Sequence, residues 1–176
     1  MRSEGSSALA PSQEVISVPR ALPFTEVSSP AQQLASSSCE LAARYESVRD
    51  ARAFARDTLH RWRLADLFDN VALVASELVT NALRHGVGTG TGPHPTSLPT
   101  SPPVDPVVRL SLAHWTERVV CAVRDPSSRG PVTRAPDHIA ESGRGLHLVA
   151  SCSETWGWHP LAGAGKVVWA LFPAPL

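Results

Sequence analysis

Lysine is almost missing from this 176-residue chain: Lys166 is the single example, and arginine supplies the rest of the 16 basic residues. Asp and Glu also number 16, so the formal net charge is zero. A chain without a basic excess lacks the electrostatic footprint of non-specific nucleic-acid binding, and no direct nucleic-acid partner is expected. A local arginine patch is still compatible with that balance. Cysteine is scarce as well. Cys39, Cys121 and Cys152 show no Cys-x-x-Cys spacing, and the seven histidines include no pair at helical spacing. That argues against a zinc site and reads as small buried thiols of a reducing compartment. No early apolar stretch marks a signal peptide, because Ser3, Glu4, Ser6 and Ser7 interrupt it. No run of about 18 apolar residues is present, so no membrane-spanning helix is expected, and the expected location is the cytoplasm.

What remains suits one core with additions. Hydrophobic residues make up 43% of the chain, while 16 prolines gather outside the apolar segments. Residues 1 to about 35, rich in Ser, Pro, Gln and Ala, read as a disordered N-terminal tail ahead of a domain over 36–173. Residues 36–43 suggest a first, edge strand. Ser47 with Asp50 three residues on reads as a capping box. Val48, Ala51, Ala55, Leu59 and Trp62 then recur at helical spacing, which predicts an amphipathic helix ending near Arg63. A second helix is expected to be capped by Asp66, with Val71, Val74, Ala75, Leu78, Ala82 and Leu83 on its apolar face. Gly86 falls where a left-handed terminal residue is usual. Residues 87–105 contain eight Gly or Pro and lack the helix and Lys-Ser/Thr that a phosphate-binding glycine loop requires, so they read as a flexible insertion.

Beyond it, Val108, Leu110 and Leu112 alternate with Arg109, Ser111 and Ala113. Val119, Cys121 and Val123 alternate in the same way, which predicts an antiparallel hairpin. Gly143, Arg144 and Gly145 open a short apolar helix from Leu146 to Ser151. Trp156 to Trp158 and Val167 to Phe172 supply two last strands across a Gly-rich turn. Helices gathered on one face of a mixed, mostly antiparallel sheet give an α+β fold, a two-layer α/β sandwich.

Glu77, Asn81 and His85 stand four apart and form one stripe on the second helix. A solvated polar face is the plainer reading. Against it, the helix is apolar over most of its circumference, and a carboxylate and an amide buried there need partners. A Mg²⁺ ion with phosphates is one solution. Asn81 offers a carbonyl oxygen to a hard cation, and Glu77 can take a proton from an incoming hydroxyl. Asp125, which ends a strand, is either ordinary turn chemistry or an acceptor for an exocyclic amine that selects adenine over guanine. Gly143, Arg144 and Gly145 are either a flexible joint or backbone donors for an anion at a helix N-terminus.

Taken together, Glu77-Leu-Val-Thr-Asn81-Ala-Leu-Arg-His85-Gly86 resembles the N-box of the GHKL ATPases and kinases. Asp125 follows a hairpin where their adenine-binding aspartate falls, and Glu141-Ser-Gly-Arg-Gly-Leu146 looks like their second glycine box. The closest likeness within that superfamily is to small domains related to bacterial anti-sigma-factor serine/threonine kinases. The resemblance implies a Bergerat-type sandwich, ATP and Mg²⁺ as cofactors, and regulation through protein partners, a sigma factor or its anti-anti-sigma antagonist. It allows a homodimer. Carried over by position, Glu77 is the catalytic base and Asn81 the Mg²⁺ ligand. Asp125 reads adenine, and Gly143, Arg144, Gly145 and Leu146 contact the nucleotide. A nucleotide-sensing module without phosphotransfer is the alternative. One departure stands out. The family's first glycine box is usually Asp-x-Gly-x-Gly, whereas Pro126, Ser127, Ser128 and Arg129 follow Asp125 here. Close backbone approach to a nucleotide is therefore not expected from that segment.

Overall fold

The computed structural model describes residues 33–87, 107–115, 117–131, 144–162 and 165–174. The expected tail lies outside the described residues except for its last three positions, and so does nearly all of the expected insertion at 87–105. The strand expected at 36–43 begins earlier, as β1 (Gln33–Ala42). Two helices follow, α1 (Ser47–Arg61) and α2 (Phe68–Asn81), the second continued by a π-turn over Ala82–Val87. The hairpin forms as β2 (Val107–Trp115) and β3 (Arg118–Asp125). Helix α3 (Arg144–Cys152) and the strands β4 (Thr155–Pro160) and β5 (Lys166–Pro173) complete the described fold.

The five strands form one open sheet in the order β1-β2-β3-β5-β4. Every pairing in it is antiparallel, so the sheet is not mixed. The α+β architecture is the one the sequence pattern implies. Side chains alternate between the faces of a strand. One face carries Leu110 and Leu112 of β2, Val119, Cys121 and Val123 of β3, and Val168, Ala170 and Phe172 of β5. These pack with Ala55 and Leu59 of α1 and with Val71, Val74, Leu78 and Val79 of α2. Each fully buried aliphatic or phenyl side chain there contributes about 1.5–3 kcal/mol relative to its exposed state. A smaller cluster, Trp115, Val120, Ala122 and Trp169, occupies the opposite face. Among the described residues no helix is long and apolar enough to cross a membrane.

The helix ends depart from the expected signals. The Ser47 hydroxyl does not cap α1; it donates to the Ala42 carbonyl at 2.6 Å, tying the helix start to the end of β1. At the other end Arg63 takes φ 60°. Arg63 N–H donates to His60 and Leu64 N–H to Leu59 at 3.1 and 2.9 Å, a Schellman closure with arginine where glycine is usual. Asp66 does not cap α2, since it lies within a 3₁₀ turn over Ala65–Leu67 that leads into the helix without a side-chain cap. Both thiols of the sheet are disfavoured as thiolates. Burial pushes Cys121 up to about 12, and burial with the nearby Asp50 charge pushes Cys39 up to about 11.

Candidate functional site

The last turn of α2 supplies the first half of the site. Val71, Ala72, Val74, Ala75, Leu78 and Val79 are buried, so the helix has little freedom to roll. Glu77 and Asn81 are only half-buried, on the side of α2 that the core does not take. The stripe does not extend to His85. The backbone passes into the π-turn after Asn81, which changes the angular advance per residue, and His85 is exposed.

Helix α3 packs on α2 and sets its first turn against that pair. A Cβ added at Gly145 would stand 2.6 Å from Glu77 Oε2, 3.5 Å from Asn81 Nδ2 and 3.7 Å from Asn81 Oδ1. The bare α-carbon of Gly145 thus faces the carboxylate and the carboxamide together. Gly145 is not in a loop ahead of the helix, as the sequence suggested, but inside its first turn. Arg144 is the exposed first residue of α3, and Leu146 is a buried apolar side chain beside them. The first backbone N–H groups of α3 have no carbonyl partner within the helix, which makes that end a donor site for an anion. Gly143 lies outside the described residues.

The second half is built around Asp125, on the helix-facing side of the sheet at the end of β3. Its register partner across β3 and β5 is Lys166. The carboxylate is 2% and the ammonium side chain 6% exposed, with Lys166 Nζ 2.9 Å from Asp125 Oδ1. The same oxygen accepts the Ser127 N–H at 2.8 Å, and Lys166 also donates to the Ser127 carbonyl at 3.3 Å. The Arg129 N–H donates to the Ser127 hydroxyl at 3.3 Å, so side chains close the turn that replaces the expected glycine box.

The close approach that those missing glycines would have allowed comes from elsewhere. A Cβ at Gly86 would lie 2.8 Å from both Cγ and Oδ1 of Asp125. Gly86 is therefore required not by a left-handed φ, which among the described glycines only Gly165 has, but by contact with the carboxylate. Gly165, at φ 87°, lies so near the Asp125–Pro126 backbone that any Cβ there would overlap the Asp125 carbonyl. Sequence reasoning missed Lys166 and both of these glycine contacts. The available signals were the solitary lysine and the Gly-rich turn before it.

Gly86 lies nine positions after Glu77. The α-helical and π-turn rise places the two halves of the site on the order of 10 Å apart along one continuous segment. One half presents oxygen ligands and helix-terminal donors, and the other a buried carboxylate for a hydrogen-bond donor.

A family model described as a histidine kinase-like ATPase domain matches residues 41–172. The chain belongs to that family. Among curated proteins none matches it. Histidine kinase-like ATPase domains bind ATP, usually with Mg²⁺, and the residues present suit both. With no side chain at Gly145, the first turn of α3 comes into contact with the Glu77 carboxylate and the Asn81 carboxamide, so oxygen ligands and helix-terminal donors adjoin there. Among the described residues no three His, Cys, Asp or Glu side chains cluster, so a cation here would take one or two protein oxygens and complete its shell with phosphate and water. That is the habit of Mg²⁺.

Proposed function

We propose that this histidine kinase-like ATPase domain is an ATP-dependent regulatory protein kinase resembling the anti-sigma-factor serine/threonine kinases. It transfers the γ-phosphoryl group to a serine or threonine hydroxyl of a protein antagonist and thereby controls a sigma factor's access to transcription. The observation that carries this reading is the convergence of Glu77, Asn81 and Gly145 at the start of α3. A carboxylate, a carbonyl oxygen and a helix N-terminus are what phosphoryl transfer needs, since its catalysis is largely positioning and charge stabilisation. Mg²⁺, when bound, spreads the phosphate charge. Asn81 Oδ1 would hold the cation, and the N–H groups of Arg144, Gly145 and Leu146 with the Arg144 guanidinium would meet the phosphate oxygens. Glu77 accepts the proton of the attacking hydroxyl as its oxygen bonds to the γ-phosphorus, and the bond to the β–γ bridging oxygen breaks to release ADP. Asp125 accepts a hydrogen bond from the exocyclic amine of adenine.

The turn after Asp125 favours a second reading. Pro126, Ser127, Ser128 and Arg129 fold it onto itself through side-chain hydrogen bonds, and a nucleotide-sensing module that holds a partner only with ATP bound would need no more. Mass spectrometry of co-purified partners after incubation with Mg-ATP separates the two. For a kinase, Glu77→Gln keeps ATP and partner binding while phosphotransfer falls by roughly two to four orders of magnitude. Absence of phosphoserine and phosphothreonine on every partner of the wild type, with ATP binding intact, leaves the nucleotide-gated binder.

A further inference from the structure

The chain has one lysine and buries it. Lys166 is 5% exposed, at the end of a strand whose neighbouring inward positions, Val168, Ala170 and Phe172, are apolar. As a structural device this placement is poor. A buried ion pair forfeits the hydration of both charges, and an apolar pair of similar volume is often as stable or more so. The pair is also incomplete as a hydrogen-bonding unit. The ammonium has three N–H donors, and two of them are taken, by Asp125 Oδ1 at 2.9 Å and the Ser127 carbonyl at 3.3 Å. On the carboxylate, both described hydrogen bonds, from Lys166 and from the Ser127 N–H, fall on Oδ1. Among the described residues, one donor on Lys166 and the Oδ2 acceptor of Asp125 are thus left without a hydrogen bond, and they adjoin on the helix-facing end of β3 and β5. Gly86 and Gly165 keep side chains from crowding the carboxylate and its backbone.

A donor beside an acceptor is complementary to one edge of adenine, where the 6-amino group donates and ring nitrogen N1 accepts. Guanine reverses both positions, with a carbonyl at C6 and an N–H at N1. We infer that Lys166 is a base-reading residue of the nucleotide site: its third N–H donates to adenine N1 while Asp125 Oδ2 accepts from the 6-amino group, so that the pair selects adenine by two contacts rather than one. This rests on the proposed nucleotide site, since it places the base at Asp125. It gives the pair a role that its contribution to the fold does not require. It also accounts for the Ser127 turn, which holds Oδ1 and leaves Oδ2 for the base.

The test is calorimetric titration of the full chain with Mg-ATP and with Mg-1-deaza-ATP, in which N1 is replaced by C–H, for the wild type and for Lys166→Met. A hydrogen bond from a charged donor sets the expected wild-type preference for ATP at roughly ten- to a hundredfold, and in Lys166→Met the two nucleotides bind alike. Equal affinities in the wild type, or an equal preference in both proteins, overturn the inference, because a lysine that merely braces Asp125 weakens both nucleotides together. Should Lys166→Met fail to fold, Lys166→Leu, which likewise lacks a donor, takes its place and is read in the same way. A wild type that binds ATP but ignores N1 rejects the role of Lys166 alone, whereas one that binds no ATP rejects the nucleotide site as well.

Discussion

Gly86→Ala and Gly145→Ala add the same methyl group against two different carboxylates, and their consequences should differ. At Gly145 the new Cβ meets Glu77 Oε2 at 2.6 Å, the free end of a flexible, half-buried side chain. Glu77 can turn away, and alanine is favoured over glycine within a helix by roughly 0.5–1 kcal/mol. The expected outcome is an unchanged or slightly raised melting temperature with impaired ATP binding. At Gly86 the Cβ meets Asp125 at 2.8–2.9 Å, and that carboxylate is held by Lys166 and the Ser127 N–H, so the ion pair itself must shift. Overpacking of this kind costs about 1–3 kcal/mol, and both stability and ATP affinity should fall. Thermal melts with ATP titrations of the two variants check the contrast. Asp125→Asn should weaken ATP and relax discrimination against GTP, which competition titration reads. The polar residues of the site were legible because four-residue spacing places Glu77 and Asn81 together on any helix. Gly86 and Lys166 were not, because their common partner Asp125 is 39 and 41 positions away and only the sheet and the π-turn bring them to it.

At the level of elements, periodicity located both long helices, each of which buries one face, and it located the hairpin although β3 buries both of its faces. Their ends were harder to read. Ser47 and Asp66 have the side chains of caps, yet Ser47 is drawn to the Ala42 carbonyl and Asp66 sits in the 3₁₀ turn. Tertiary contacts and local turns overrode the local signal. The seam between α1 and the sheet contains a titratable group that sequence reasoning passed over. His114 on β2 stacks on Trp62 with ring centroids 5.8 Å apart, and its buried Nε2 has no hydrogen-bond partner among the described residues. Burial lowers its pKa from 6.5. The unfolded chain therefore takes up a proton at a higher pH than the folded one. The stability that His114 contributes is present above about 6.5 and is lost as pH falls from there toward the folded-state pKa. Urea melts between pH 7.5 and 5 should show this loss, and His114→Phe, which keeps the stacking, should flatten it. For the segment at 87–105 the composition alone gives an expectation. Replacing it with a few Gly and Ser residues should alter stability by only about 1 kcal/mol, because loop-closure entropy grows slowly with length. A fall of tens of degrees in melting temperature would place it in the core.

Across the whole molecule, the proposed nucleotide site lies where two structural layers meet. The helical layer brings Glu77 and Asn81 to the first turn of α3, and the sheet brings Asp125 to Lys166. The π-turn after Asn81 joins the two by pressing Gly86 against the carboxylate. The family match over residues 41–172 spans both layers, as it must if one nucleotide bridges them. Partner choice was not legible from the chain, because no spacing rule encodes a protein surface. Nucleotide binding was legible through the likeness of residues 77–86 and 141–146 to the motifs of a known family, and the family match agrees with it. The most direct check of the account is calorimetric titration of the wild type and Asn81→Ala with ATP, each with Mg²⁺ and with the metal chelated. Saturable, Mg²⁺-dependent binding to the wild type is expected, with its loss in Asn81→Ala at an unchanged melting temperature. Equal ATP affinity in the two proteins would contradict the proposed site.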